Sequence, residues 1–250
     1  MNRQSIFIKF IALFTIFFIN SCFAQWKNVA PGIVYQDLAP FYLKKWSHIH
    51  TFKIDLNLQK LKLVRHNDLE QKFPSIEQYA ESNQAPLAIN GGFFDNNQKP
   101  LGLRVSDYKI SNTFKSISWW GVFSIKNLSA AITSARLFQS NKEIEFAIQA
   151  GPRLVINRHI PSLRPGYAER TALCVISPHE IAIIITQYFP ISLSQLAKLL
   201  IDQSLNCQDA LNLDGGSSTQ LFAKFSNFFI HMPGLASVSD AIVVLPRERH

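Results

Sequence analysis

Apolar and polar positions alternate over much of the chain with the period of strands. Residues 48–56 alternate through Ile49, Thr51, Ile54 and Leu56, and residues 61–65 follow a short polar turn as the expected hairpin partner. A short helix is expected from Pro74-Ser75 to about residue 82, with the proline at its opening and Glu77 close behind. Residues 86–89 form a brief strand that runs straight into Asn90-Gly91-Gly92. Further strands are expected at 101–105, 121–125, 144–150, 153–156 and 171–176. Residues 180–186 are a continuous run rich in isoleucine, which marks a strand covered on both faces. The clearest helix is 193–203, where Ser192 and Gln195 make a capping box and Leu196, Leu199 and Leu200 share one face. A strand at 210–213 ends on Asp214, and a last strand covers 240–245. Strands outnumber helices, so the expected fold is α+β: a single domain, 46–250, of mixed β-sheet layers with a few covering helices. Residues 25–45 read as an irregular or partly extended N-terminal segment.

The N-terminus stands apart from this pattern. Arg3 and Lys9 flank a positive start, residues 10–19 are almost wholly apolar, and Ser21-Cys22-Phe23-Ala24 supplies a small-residue exit. That order is a secretory signal peptide over 1–24, too short for a comfortable transmembrane helix. The expectation is an exported protein, periplasmic or secreted, with lipid attachment at Cys22 as the alternative exit. No transmembrane helix is expected in the mature chain.

Composition narrows the picture further. With 47% hydrophobic and 17% charged residues the chain has the makings of a packed core. The formal charge of +8 becomes +6 once Arg3 and Lys9 leave with the signal (8 − 2), and the basic residues are scattered. No nucleic-acid partner is therefore expected. Beyond Cys22 the cysteines are Cys174 and Cys207, which could pair in an oxidising compartment or stay free and buried. His48 and His50 share a strand face without an evident third ligand, and a solvated face is the expectation.

Candidate chemistry concentrates in two turns of the same make. In Asn90-Gly91-Gly92-Phe93-Phe94 a strand ends in a side chain that both donates and accepts, followed by two glycines and large aromatics. In Asp214-Gly215-Gly216-Ser217-Ser218 the strand ends in a carboxylate, followed by two glycines and hydroxyls. Paired glycines let a ligand approach backbone amides, and a carboxylate there can serve as acid, base or nucleophile. Ordinary tight turns have the same composition. Neither is a phosphate-binding loop or a Gly-x-Ser-x-Gly elbow. Between them, Gly151-Pro152-Arg153 and Glu169-Arg170-Thr171 set arginines beside strands, and Arg104 follows the first turn closely. A guanidinium suits phosphate or carboxylate.

Taken in order, these segments resemble the phosphodiester glycosidase family. The matching residues are Ala88-Ile89-Asn90-Gly91-Gly92-Phe93-Phe94, Gly102 with Val105-Ser106-Asp107, and Gly151-Pro152 with Leu154-Val155. Arg170-Thr171-Ala172-Leu173 and Leu211-Asn212-Leu213-Asp214-Gly215-Gly216-Ser217-Ser218 complete the series. Three positions depart from the family's habit of glycine: Tyr108, Cys174 and Ser217. The resemblance implies hydrolysis of the bond between a sugar's anomeric carbon and a phosphodiester oxygen, with a carbohydrate or sugar phosphate as partner. On that basis the expected catalytic residues are Asp214, Asn90, Arg170 and Thr171. Arg170, with Arg104, would bind phosphate, Asp214 would face the sugar or its attacking water, and Asn90 and Thr171 would bind hydroxyls. Gly91, Gly92, Phe93, Arg104, Gly151, Gly215, Gly216, Ser217 and Ser218 are the expected substrate-binding residues. Glu169 and Asp95 are the alternative carboxylates. No cofactor is expected; a divalent cation held by Asp214 and Asp107 is the alternative. Competing readings are a hydrolase of another exopolysaccharide or peptidoglycan bond, and a glycan-phosphate-binding protein without catalysis.

Overall fold

The structure, a computed structural model, describes residues 26–69, 71 and 73–248, so the signal-peptide expectation and Cys22 lie outside the described residues. Strands β1 (Lys27–Ala30) and β2 (Ile33–Asp37) pair across a turn at Gly32, followed by β3 (His48–Asp55) and β4 (Gln59–Arg65). Helix α1 (Ile76–Glu81) starts at Ser75, whose hydroxyl accepts from the Gln78 amide while the Gln78 side chain accepts from the Ser75 amide. Then come β5 (Leu87–Asn90) and two hairpins, β6 (Arg104–Ser106) with β7 (Lys109–Asn112) and β8 (Gly121–Lys126) with β9 (Ser129–Ser134). β10 (Ile144–Ala150), β11 (Arg153–Val155) and β12 (Tyr167–Ala168) lead to the long hairpin of β13 (Thr171–Ser177) and β14 (Glu180–Gln187). A short β15 (Ile191–Ser192) runs into helix α2 (Leu193–Ile201), capped by Ser192 and Gln195. β16 (Asp209–Asn212), β17 (Leu221–Phe225), β18 (Phe228–Met232) and β19 (Asp240–Pro246) follow.

These strands make three large sheets, ordered β1-β2-β3-β14-β13-β16-β11, β18-β17-β5-β19-β4 and β7-β6-β10-β8-β9, with β12-β15 as a small ribbon. With 46% strand and 11% helix the chain is more β-rich than the α+β expectation. Within the segment read as irregular or partly extended, residues 27–30 and 33–37 form β1 and β2. A further expectation is corrected. β3 and β4 are not hairpin partners: β3 lies between β2 and β14, whereas β4 pairs with β19 at the far end of the sequence. The turn at 56–58 hands the chain from one sheet to another, because each strand finds its apolar complement elsewhere.

The core sits where the inner faces of the sheets meet. Phe52, Ile183 and Leu211 from the first sheet pack with Ile89, Leu221 and Ile242 from the second and Phe123 and Phe146 from the third. The outer face of the first sheet is covered by α2, and that of the second by α1. β14 explains the unbroken apolar run: Ile181, Ile183 and Ile185 enter the central core while Ala182 and Ile184 face α2. Among the described residues no helix is long and apolar enough to cross a membrane.

Cys174 and Cys207 form a disulfide with their Cα atoms 5.7 Å apart, on the α2 side of the first sheet. The departure from glycine at 174 therefore concerns this layer. The bond closes 33 residues, so Cys174→Ser with Cys207→Ser is expected to lower stability by about 3 kcal/mol. Chemical unfolding with and without reductant reads this: reductant should destabilise the parent protein and leave the double variant unmoved.

Register brings the chemistry to one end of the molecule. Thr171 lies opposite Ile185, Asn212 opposite Ala172, and His48 opposite Gln187, so Asp37, His48, Thr171 and Asn212 share an end of the first sheet. In the second sheet Asn90 lies opposite Ala241, beside Asp240.

Candidate active site

The two glycine turns meet through Asn90. Its side-chain oxygen accepts from the Thr171 hydroxyl at 2.7 Å and the Gln220 amide at 3.3 Å. Its nitrogen donates to the Asp214 carbonyl at 2.9 Å and the Gly91 carbonyl at 3.3 Å. Asn90 and Thr171 are both fully buried, so they tie the sheets together beneath the cleft. This corrects the expectation that they bind substrate hydroxyls: Asn90's donors and acceptor are taken up inside the protein.

The first turn has a similar inward purpose. Gly91 donates to the Asp240 carbonyl at 2.9 Å, and Gly92 donates to the Asp240 carboxylate at 3.1 Å. A Cβ at Gly91 would collide with the Asp240 carboxylate, and one at Gly92 would lie 2.5 Å from Arg104 Nη2. The glycines make room for an ion pair below them. Their amides are spent on Asp240 and do not face a ligand, which corrects their expected role.

That ion pair also corrects Arg104. Its Nε donates to Asp240 Oδ2 at 2.9 Å, with both side chains 0% exposed. Nη1 donates to the carbonyls of Leu101 at 3.1 Å and Gln149 at 3.1 Å, and Nη2 to the carbonyl of Phe93 at 3.2 Å. Arg104 is scaffolding and does not reach a phosphate in the cleft.

The cleft itself, of about 580 Å³, opens above this layer. Gly151, Arg170, Asp214, Gly215 and Gly216 line it, with Phe93 on one wall. Phe93 rests on Trp120, ring centroids 5.2 Å apart. Asp214 follows β16, and its Oδ1 accepts from the Gly215 amide at 2.9 Å. Burial pushes its carboxyl above the usual carboxylate range. The Ser218 hydroxyl and Gly215 amide pull it down, Asp240 pushes it further up and Arg104 lowers it. Gly215 is required here because a Cβ would lie 2.7 Å from the Glu169 carbonyl, and Gly216 takes φ +60°. Ser218 is buried and steadies Asp214, whereas Ser217 is exposed and its carbonyl accepts from Leu235 and Ala236.

Arg170 stands at the start of β13. Nε donates to the Ile191 carbonyl at 3.1 Å and Nη2 to the Gly166 carbonyl at 2.8 Å. Burial lowers its pKa, though a guanidinium stays charged near neutrality. Among the described residues no carboxylate lies within ion-pair distance of it. Glu169 instead accepts from the Tyr188 amide, and Asp95 accepts from the amides of its own turn. Asp107 sits at the β6–β7 turn, 3.8 Å from Lys60 and outside the cleft lining, so it does not join Asp214 in a cation site. Among the described residues no group of three His, Cys, Asp or Glu is placed to hold a metal ion. His50 is buried between Tyr35 and Gln187, and His48 meets Asp37 at 2.9 Å, which corrects the solvated-face expectation for His50.

Several lining residues escaped the sequence reading. Trp119, Ser162, Leu163 and Arg164 come from the segments before β8 and after β11 and carry no motif. Asn212 does carry one, standing two residues before Asp214 at a strand end. It is buried, donates to the Gly151 and Leu213 carbonyls, and leaves Oδ1 without a partner at the cleft wall.

A guanidinium bonded only to backbone carbonyls, a carboxyl with raised pKa and two aromatic walls make a cleft that suits an anionic ligand with an apolar face. The sequence profile of the phosphodiester glycosidase family matches residues 83–245, and the chain belongs to that family. The catalytic domain of zebrafish N-acetylglucosamine-1-phosphodiester alpha-N-acetylglucosaminidase, solved auto-inhibited by its pro-peptide, has a similar fold. Its TM-score is 0.63 at 18% identity, over 87% of this chain and 82% of that one. A hypothetical protein from Synechocystis gives a TM-score of 0.62 at 17% identity, over 89% of this chain and 64% of that one. The uncharacterized protein YigE of Escherichia coli is 30% identical over 138 residues, 49% of this chain. The chain's match spans about half, 54%, of that relative's length.

Proposed function

We propose that the protein hydrolyses the bond between a sugar's anomeric carbon and a phosphodiester oxygen. The observation that carries this reading is that Arg170, with no carboxylate partner among the described residues, lines the same cleft as Asp214. Arg170 binds the phosphodiester and takes up the charge that grows as the C–O bond breaks, supported by Arg164 at the rim. Asp214 faces the sugar and accepts the proton of the attacking water, for which a raised pKa brings it closer to neutrality. Water adds to the anomeric carbon, the bond to the phosphate oxygen breaks, and a free sugar and a phosphate monoester leave. Phosphate is a good leaving group, so a second carboxyl is not required as acid. Phe93 and Trp119 offer rings to the C–H face of the sugar.

Export belongs to the same reading. It is supported by the order of charge, apolar stretch and small residues over 1–24, and by the Cys174–Cys207 disulfide, a bond of oxidising compartments. The substrate would then be an envelope or extracellular glycan phosphate.

The test is turnover of a sugar-1-phosphodiester, followed as release of reducing sugar and phosphate monoester together. Arg170→Ala is expected to lower kcat/KM about 10- to 100-fold, the worth of a charge-assisted contact, with Arg170→Lys between. Release of sugar from glycans lacking phosphate, unaffected by Arg170→Ala, would sink the reading. Binding of sugar phosphates with no turnover of any of them would leave only a binding protein.

A further inference from the structure

The sheet end that carries the cleft also carries an apolar surface that the proposed reaction does not use. Between β2 and β3 the chain makes a 3-10 turn over Phe41–Leu43, none of whose residues is buried, and continues through Lys44, Lys45 and Trp46. Phe41 is 91% exposed, Tyr42 79% and Trp46 68%, and Tyr188 of the neighbouring loop is 71% exposed. Single exposed apolar residues are ordinary, but three large rings within six residues form a patch.

The patch is held in place. Leu43 donates to the Pro40 carbonyl at 2.8 Å, Trp46 and Ser47 donate to the Leu43 carbonyl at 2.9 Å, and the Ser47 hydroxyl donates to the Tyr188 carbonyl at 2.6 Å. Lys44 Nζ donates to the Asp37 carbonyl at 2.6 Å, and Lys45 Nζ lies 5.0 Å over the Trp46 ring. The backbone thus holds the turn that exposes these rings, with the Lys45 ammonium over Trp46. Asp37 and Glu169, carboxylates of the same end, are occupied by His48 and by the Tyr188 amide.

Rings with lysines between them suit one environment in particular. At a bilayer surface aromatic rings settle at headgroup level, and lysines gain from anionic headgroups while their stems stay among apolar groups. A binding site for a soluble molecule is concave, whereas Phe41, Tyr42 and Trp46 stand exposed outside the lining of the Asp214 cleft. Lys27, the first residue of β1, lies at this end as well, opposite Tyr35 and close to Asp37.

We propose that the Phe41–Trp46 turn seats the protein on an anionic lipid surface, with the cleft at that same end. The proposal does not depend on which bond the cleft cleaves. It requires that Phe41, Tyr42 and Trp46 leave water when such a surface is offered.

Because residues 10–19 are themselves apolar, the test reads the position of Trp46 and not the binding of the chain. The full chain and its Trp46→Phe variant are mixed with vesicles of phosphatidylcholine alone or with added phosphatidylglycerol. The difference between the two fluorescence spectra isolates Trp46 from the other three tryptophans. On anionic vesicles that difference is expected to shift to shorter wavelength and to be quenched by lipids brominated on their acyl chains. Lys45→Ala should raise the anionic lipid needed for half the shift about fivefold, the worth of one lysine at such a surface. Trp46 emission unmoved and unquenched on anionic vesicles would overturn the proposal. So would the same shift produced by soluble polysaccharide without lipid, which would make the rings a glycan platform. Because Trp46→Phe keeps an exposed ring, the comparison does not hinge on a destabilised fold.

Discussion

Asp214→Asn is expected to lower kcat about 10³-fold, within the range for a positioned proton-transfer group, while making the folded protein harder to unfold at neutral pH. Both effects follow from the same burial. The folded-state pKa of Asp214 is raised, chiefly because its carboxylate is withdrawn from water, and further by Asp240. The stability this group contributes is therefore fully present below its unfolded pKa and is lost as pH rises through the folded value. At neutral pH the wild-type chain carries a buried charge that asparagine does not. Asparagine is nearly the same shape, and its oxygen can still accept from the Gly215 amide, as Asp214 does at 2.9 Å. The gain should be of the order of 1 kcal/mol, about 2–4 °C in Tm, and should vanish below the ordinary carboxylate pKa. In the wild type, kcat/KM should fall on the acid side through a pKa above that of a free aspartate. Paired thermal melts at neutral and acid pH, with the pH–rate profile, check both halves. Full turnover by Asp214→Asn would remove Asp214 from the chemistry, and a lower Tm at neutral pH would remove the account of its burial.

Much of this site could be read from the order of residues, and what could not has a common physical cause. The two turns were legible because strand-end punctuation is local: Asn90 and Asp214 close short apolar strands, and glycines follow. The capping boxes of α1 and α2 were legible for the same reason. What the glycines are for was not. Gly91 and Gly92 accommodate Asp240, which lies on β19 about 150 positions away, and nothing near residue 91 announces that neighbour. Arg104 reads as a free charge for the same reason, since its partner is equally remote. The pairing of β3 with β14 and of β4 with β19 overrode the local hairpin signal, because apolar faces are matched across whole sheets. Trp119 and Arg164 reach the cleft from loops, where neither period nor propensity points to a wall.

The same remoteness explains how the site is built. Three of the four residues singled out for catalysis stand in one hydrogen-bonded chain, Thr171 to Asn90 to the Asp214 carbonyl, and that chain crosses from one sheet to the other. Arg170 adjoins Thr171 and inherits its position from it. The polar residues of these segments thus divide into a buried set that fixes geometry and a cleft-lining pair, Arg170 and Asp214, to which the proposed reaction assigns the ligand. Polar groups at a sheet end need not all face a ligand, because two sheets that meet there have their own backbone and carboxylate groups to satisfy.

The ion pair under the first turn should be the most sensitive point of the fold. Arg104→Leu or Asp240→Asn is expected to cost about 3–5 kcal/mol, since either leaves a buried charge without its counter-charge. In a domain of this size that corresponds to a fall in Tm of about 10 °C or more. Arg104→Lys should not rescue it. The guanidinium serves Asp240, Leu101, Gln149 and Phe93 in directions that one ammonium cannot span. Removing both charges together should not restore stability either: the Gly92 amide and these carbonyls would lose their partners in a dry interior. Asp240→Asn has a second, independent consequence. Asp240 raises the Asp214 pKa and Arg104 lowers it, so neutralising Asp240 leaves Arg104 unopposed and moves the Asp214 pKa down. The acid limb of the pH–rate profile should shift to lower pH in whatever fraction remains folded, by the amount the carboxylate had supplied through space. Chemical denaturation measures the first effect and the pH profile the second. A variant that melts as the wild type does would show that Arg104 and Asp240 do not form the pair described, whereas an unmoved acid limb would separate that pair from the carboxylate above it.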